Sequence, residues 1–208
     1  MNMFKRKCKI TFIRHGSTIY SDENRLCDKL NYPPLNEVGK IEAENIAKWI
    51  EKRSPKVDKI YSSPDVKSMQ TCEFITKEYK KDFQIIDSLY SRRSGEWNGL
   101  TFEQIEKQYP EEIKKYHKDR ANYWCDGEET IADFSKRIRA SIDELIEKNK
   151  GKRIIIVTNG DVIQAEICNA LGIPLQNIGQ IYIPCGSATQ LSYFTEWTSL
   201  VYSSHVPV

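Results

Sequence analysis

Lys9-Ile10-Thr11-Phe12-Ile13-Arg14-His15-Gly16 is the stretch on which the fold turns. A short β-forming run leads directly into an arginine, a histidine and a glycine. Two further stretches share this arrangement. Val57-Asp58-Lys59-Ile60-Tyr61 ends at Ser62-Ser63-Pro64, and Arg153-Ile154-Ile155-Ile156-Val157 ends at Thr158-Asn159-Gly160. The last run is nearly all β-branched, as a strand covered on both faces should be.

Between these runs, apolar residues recur at helical spacing. Val38, Ile41, Ile46, Trp49 and Ile50 form one stripe, and Met69, Cys72, Ile75 and Tyr79 a second. Ile131, Phe134, Ile138, Ile142, Leu145 and Ile146 form a third. Gly172 followed by Pro174 marks a helix end after Leu171. Strands alternating with helices predict an α/β domain with a mainly parallel central sheet and helices on both faces. From Glu96 to Glu128 the rhythm breaks, with two helices expected around Pro110. That segment, about 96–128, reads as an insertion or lid in one domain spanning residues 1–208, and its Tyr116, Tyr123 and Trp124 as lid packing.

In open parallel sheets, ligands bind beyond the carboxyl ends of the strands. The three strand-end tripeptides therefore point towards one crevice. Arg14 offers a fork of donors suited to phosphate oxygens, His15 can attack phosphorus as a neutral nucleophile, and Gly16 permits close backbone approach. The chemistry this suggests is that of a phosphoryl anion.

The composition is that of an ordinary soluble chain. With 31 basic and 29 acidic residues and a formal net charge of +2, it lacks the clustered basic excess of a nucleic-acid groove. No apolar stretch approaches the ~20 residues of a membrane span. The basic start, Met1 to Lys7, runs into a strand pattern and not a signal-peptide core. Six scattered cysteines show no metal-ligand spacing and suit reduced thiols of a cytoplasmic protein.

Six blocks in order carry a family resemblance. Phe12-Ile13-Arg14-His15-Gly16-Ser17-Thr18 is similar to an RHG signature, with Arg25 downstream of it. Pro34-Leu35-Asn36-Glu37-Val38-Gly39 resembles a PLT-type turn into a helix. Ile60-Tyr61-Ser62-Ser63-Pro64 precedes Gln70-Thr71. Gly95-Glu96-Trp97-Asn98-Gly99-Leu100-Thr101 follows, and then Glu129-Thr130 with Asp133 and Arg137. Together they resemble the histidine phosphatase (phosphoglycerate mutase-like) superfamily. The resemblance implies a three-layer α/β/α sandwich and a metal-independent phosphohistidine mechanism without an organic cofactor. In it His15 would be the nucleophile, and Arg14, Lys67, Asn159, Ser21 and Arg25 would hold the phosphate or its loop.

Four positions depart from that pattern. Lys67 stands where the family has a second arginine, keeping the charge but losing the bidentate fork. Asn159 replaces a second histidine, and Ser21 an asparagine. Ser91 occupies the place of the glutamate general acid, and a positioned acid contributes ~10²–10⁴-fold in rate. Glu96 and Asp161 are candidate replacement acids, although Asp161 also suits a helix start and Glu96 a surface. Cys27, Cys185 and His205 are further candidates near the pocket, each with a bland alternative in packing. His117 reads as structural or solvated. Three functions compete: a specialised phosphatase acting on a small phosphorylated molecule, a pseudoenzyme binding a phosphorylated ligand or partner subunit, and a different reaction in the same pocket. Homo- or hetero-dimer formation stays open.

Overall fold

The computed structural model describes residues 6–28, 32–123 and 129–207. Trp124, Cys125 and the end of the 96–128 segment lie outside the described residues, as do Met1 to Lys5.

Six strands form one sheet: β1 (Arg6–Arg14), β2 (Lys59–Ser62), β3 (Phe83–Ile85), β4 (Arg153–Thr158), β5 (Ala188–Phe194) and β6 (Thr198–His205). Their spatial order is β3-β2-β4-β1-β5-β6. The first four run parallel, while β5 and β6 add an antiparallel edge. The short edge strand β3 and the antiparallel pair extend the sheet beyond the three runs legible in the sequence.

The sheet is covered on both faces, and strand alternation shows how. Ile10, Phe12, Ile154 and Ile156 enter the core shared with α6 (Ile131–Lys148) and α7 (Gly160–Leu171). Their neighbours Ile13, Ile155 and Val157 enter the opposite core, shared with α2 (Glu37–Arg53) and α3 (Val66–Tyr79). Successive strand side chains point to opposite faces, so the β-branched run at 154–157 serves both cores. The chain leaves β1 for one face and β4 for the other, which places a switch point between these adjacent strands.

The α6 stripe is buried as its spacing predicts, and α7 ends at Gly172 in a left-handed cap with φ +67°. The α2 stripe is corrected. Val38 and Ile41 are 57% and 60% exposed, and the buried face is Gly39, Ala43, Ile46, Ala47 and Ile50. The cause is close approach: a Cβ on Gly39 would lie 2.0 Å from the Ser17 carbonyl oxygen, so the small residues turn inward.

Within the 96–128 segment lie α4 (Phe102–Gln108) and α5 (Pro110–Lys118), with Pro110 opening the second helix. Ahead of α4 lies α1 (Ile19–Asp22), a single turn near the β1 exit. Trp97, Ile105, Ile113 and Tyr116 anchor this segment in the α6–α7 core, with Tyr116 edge-on to Trp97.

Glu166 is fully buried on α7, accepting hydrogen bonds from Arg139 and from the Tyr193 hydroxyl at 2.9 Å each. Burial outweighs both partners and pushes its carboxyl up to about 8. The folded chain therefore binds this proton more tightly than the unfolded chain, and the stability it confers is lost as pH rises towards 8. Thermal unfolding of Glu166→Gln should lose less stability than the native chain between pH 5 and 8.5.

Candidate functional site

The nucleophile candidate is held from three sides. Gly16 N–H donates to Thr71 Oγ1, and Ser17 donates through both N–H and Oγ to the Glu42 carboxylate on α2. Gly16 itself meets Gly39, where a Cβ would lie 2.1 Å from a carbonyl oxygen. His15 is 4% exposed, and its Nδ1 lies 2.7 Å from the Gly16 carbonyl oxygen. A carbonyl only accepts, so Nδ1 carries the proton and Nε2 keeps its lone pair. Burial, then the charges of Lys67 and Arg14, hold the imidazole well below its usual range, against the Gly16 bond. His15 is neutral.

His15 lines a cavity of about 580 Å³ at the carboxyl ends of β1 and β4. Arg14 extends along the start of α7, where Gly160 leaves room for it: a Cβ there would meet its Cδ and Nε at 3.3 Å. One Arg14 Nη donates to the Ile183 carbonyl at 2.5 Å, and its buried Nε has no hydrogen-bond partner among the described residues. Lys67 turns inward, 3% exposed, with Nζ 3.7 Å from Cys27 Sγ and 4.3 Å from the centre of the Tyr32 ring. Burial raises the Cys27 thiol, and Lys67 opposes this.

Asn159 opens α7 without capping it, and its Nδ2 donates instead to Asp65 Oδ2 at 2.8 Å. Asp65 is fully buried, caps α3 by accepting from Ser68 N–H, and lies 3.9 Å from Lys67 Nζ. This carboxylate ties positions 67 and 159 together.

Ser91 also lines the cavity. The turn that carries it is fixed from outside: Arg137 grips Glu129 through Nε and Nη2 at 2.7 Å each and donates to the Ser88 and Tyr90 carbonyls. Asp161 faces the cavity, but one oxygen accepts from Arg92 N–H and the other from Val162 N–H, each at 2.8 Å. Its role in the structure is to pin the Ser91–Arg92 turn to α7. Ser21 closes a capping box with Thr18 on α1, and Arg25 lies at the rim, paired with Glu23 and donating to the Gly99 carbonyl.

Three candidates are not at the cavity. Glu96 is exposed, because its neighbour Trp97 takes the inward position. Cys185 does not line the cavity. His205, at the end of β6, stacks on Trp49 with ring centres 4.2 Å apart. Conversely His117 on α5, read as structural or solvated, does line the cavity from an exposed position. Arg92, Glu106 and Arg120 line it as well, and no strand-end motif signals them. None of the described cysteines is in a disulfide.

Residues 10–204 match the sequence profile of the histidine phosphatase superfamily (branch 1). The chain belongs to that superfamily. It is 28% identical to phosphoglycerate mutase-like protein 4 of Arabidopsis thaliana over 159 residues, 76% of this chain and 68% of the relative. It is 24% identical to phosphoserine phosphatase 1 of Hydrogenobacter thermophilus over 169 residues, 80% of this chain and 78% of the relative. In fold it is similar to a phosphoserine phosphatase mutant from Entamoeba histolytica crystallised with phosphoserine. That match has a TM-score of 0.85 at 22% identity and covers 96% of this chain and 98% of the other. The histidine phosphatase sandwich is thus shared across nearly the whole chain. Among the described residues no helix is long and apolar enough to cross a membrane.

Proposed function

We propose that this histidine phosphatase hydrolyses a small phosphorylated metabolite through a phosphohistidine on His15. The observation that carries the reading is the buried, neutral imidazole, its Nδ1 committed to Gly16, between Arg14 and Lys67. Arg14, Lys67 and the N-terminus of α7 grip the phosphoryl oxygens by charge and hydrogen bonding, without a metal or organic cofactor. Asn159 shapes the inner wall, Ser21 the adjoining loop, and Arg25 the rim. The cavity is far larger than a phosphoryl group, so the leaving group occupies the outer part beneath α4 and α5, which serve as a cap on one 1–208 unit. The names of the two relatives above agree with a small phosphorylated substrate, and the composition with a cytoplasmic site of action.

The test is a panel of phosphomonoesters and phosphoramidates, assayed for phosphate release beside His15→Ala. Turnover that depends on His15 supports the reading. A second reading, a protein that binds its phosphorylated ligand without turnover, is favoured by Ser91 at the acid position and by the engaged oxygens of Asp161. Phosphate binding without release of product from any ester would establish it.

A further inference from the structure

Two features at the inner end of the cavity have a common answer. The first is charge. Arg14 and Lys67 are the cations acting on neutral His15, and the buried Asp65 carboxylate lies 3.9 Å from Lys67 Nζ. This innermost set sums to one positive charge instead of two. Away from water an unmatched charge is costly. A phosphomonoester is a dianion above its second pKa of ~6 and a monoanion below it, and the set matches the monoanion. The second feature is the proton. Ser91 is a poor source, and the Asp161 oxygens both accept backbone N–H groups. A monoanionic phosphoryl group carries its own proton.

Building on the phosphatase reading, we propose that Asp65 tunes this site to a singly charged, protonated phosphoryl group, which supplies the proton that the leaving group needs. The His15 Nε2 lone pair forms the N–P bond as the P–O bond to the leaving group breaks. That bond's electron pair stays on the leaving oxygen, which takes the phosphoryl proton and departs as a neutral alcohol. Water then adds to phosphorus, the N–P pair returns to Nε2, and dihydrogen phosphate leaves as a monoanion. Asp65 is a positioning residue, acting through Lys67 and Asn159.

Other titratable and charged groups face the site from every neighbouring element. Tyr20 lies on α1, followed by Arg25 and Cys27, and Arg92 follows Ser91. Glu106 lies on α4, Tyr116 and His117 on α5, Arg120 just beyond it, Asp161 on α7, and Tyr182 on the facing loop. Asp28 and Tyr32 adjoin Cys27. The profiles are compared with and without His117→Gln, which removes the second imidazole that lines the cavity.

The experiment measures kcat/KM from pH 5 to 8 for two esters with different second pKa values, one carrying an electron-withdrawing fluorine. The value should fall about tenfold per pH unit above each substrate's own second pKa, and the break should move with the substrate. Asp65→Asn keeps an acceptor for Ser68 and removes the charge. It should reduce the preference for pH 5.5 over pH 7.5 about tenfold, and Asp65→Ser offers the same comparison if that variant fails to fold. Binding of inorganic phosphate to the native chain needs no turnover. It should weaken between pH 6 and 8, and sulfate, a dianion throughout, should bind more weakly than phosphate at pH 6. Phosphate binding that strengthens with pH, sulfate binding as tight as phosphate, or a break that ignores the substrate overturns the proposal. His15-dependent turnover with a flat profile does so while leaving the phosphatase reading intact. The expected pH course of binding without turnover sinks that reading and supports the charge matching.

Discussion

His15→Ala is expected to lower phosphate release by at least ~10⁴-fold while leaving the cavity able to bind phosphate. No neighbour can take over. Within the cavity Cys27 is raised by burial, Ser91 sits on the turn held by Arg137 and Glu129, Thr18 and Ser21 are engaged in the α1 capping box, and Ser94 has no imidazole beside it once His15 is gone. His117 is exposed on α5. The substitution removes only a side chain, because the loop is secured through the Gly16 and Ser17 backbone and not through the imidazole's outer face. Calorimetry with inorganic phosphate, beside a phosphate-release assay, separates loss of chemistry from loss of the site. Residual turnover within tenfold of the native rate would mean that another group attacks phosphorus.

The second large effect is structural. Gly39→Ala places a methyl group 2.0 Å from the Ser17 carbonyl oxygen, and Gly16→Ala places one 2.1 Å from the Gly39 oxygen. Both obstacles are backbone, so α2 and the His15 loop must separate. Overpacking of side chains costs ~1–3 kcal/mol, and this contact lies at or beyond the top of that range. For a chain of this size ~3 kcal/mol lowers the midpoint of thermal unfolding by ~6–12 °C. Separation would also stretch the Ser17–Glu42 bonds that position His15, so activity should fall further than the unfolded fraction explains. Scanning calorimetry and initial rates well below the transition check both parts.

What the sequence discloses follows from where information is local. The runs at 9–13, 57–61 and 153–157 are readable because buried parallel strands are continuously apolar. Arg14, His15 and Asn159 can be placed together because each follows such a run, and Lys67 because it lies in the first turn of the helix after Ser62-Ser63-Pro64. β3 is three residues long, too short for a period, and pairs along one side only. The α2 stripe misleads because hydrophobicity favours Val38 and Ile41, while steric approach selects Gly39 and Ala43. Asp65 is readable as a helix cap from its place after Pro64. Its second contact, to Asn159 ninety-four positions away, is not. Arg120 and Glu106 reach the cavity through the placement of α4 and α5, which no local pattern encodes.

The Asp65–Asn159 bond also constrains the order in which this site can change. A histidine introduced at position 159 alone would meet a buried carboxylate, which would hold and charge the ring instead of leaving it for a phosphoryl oxygen. Removing Asp65 first would leave Lys67 buried without the carboxylate that lies 3.9 Å from its Nζ. Positions 65, 67 and 159 are therefore coupled, and the effects of their substitutions should fail to add. Redesign of such a pocket therefore has to change these three positions together, because each side chain sets the surroundings of the other two.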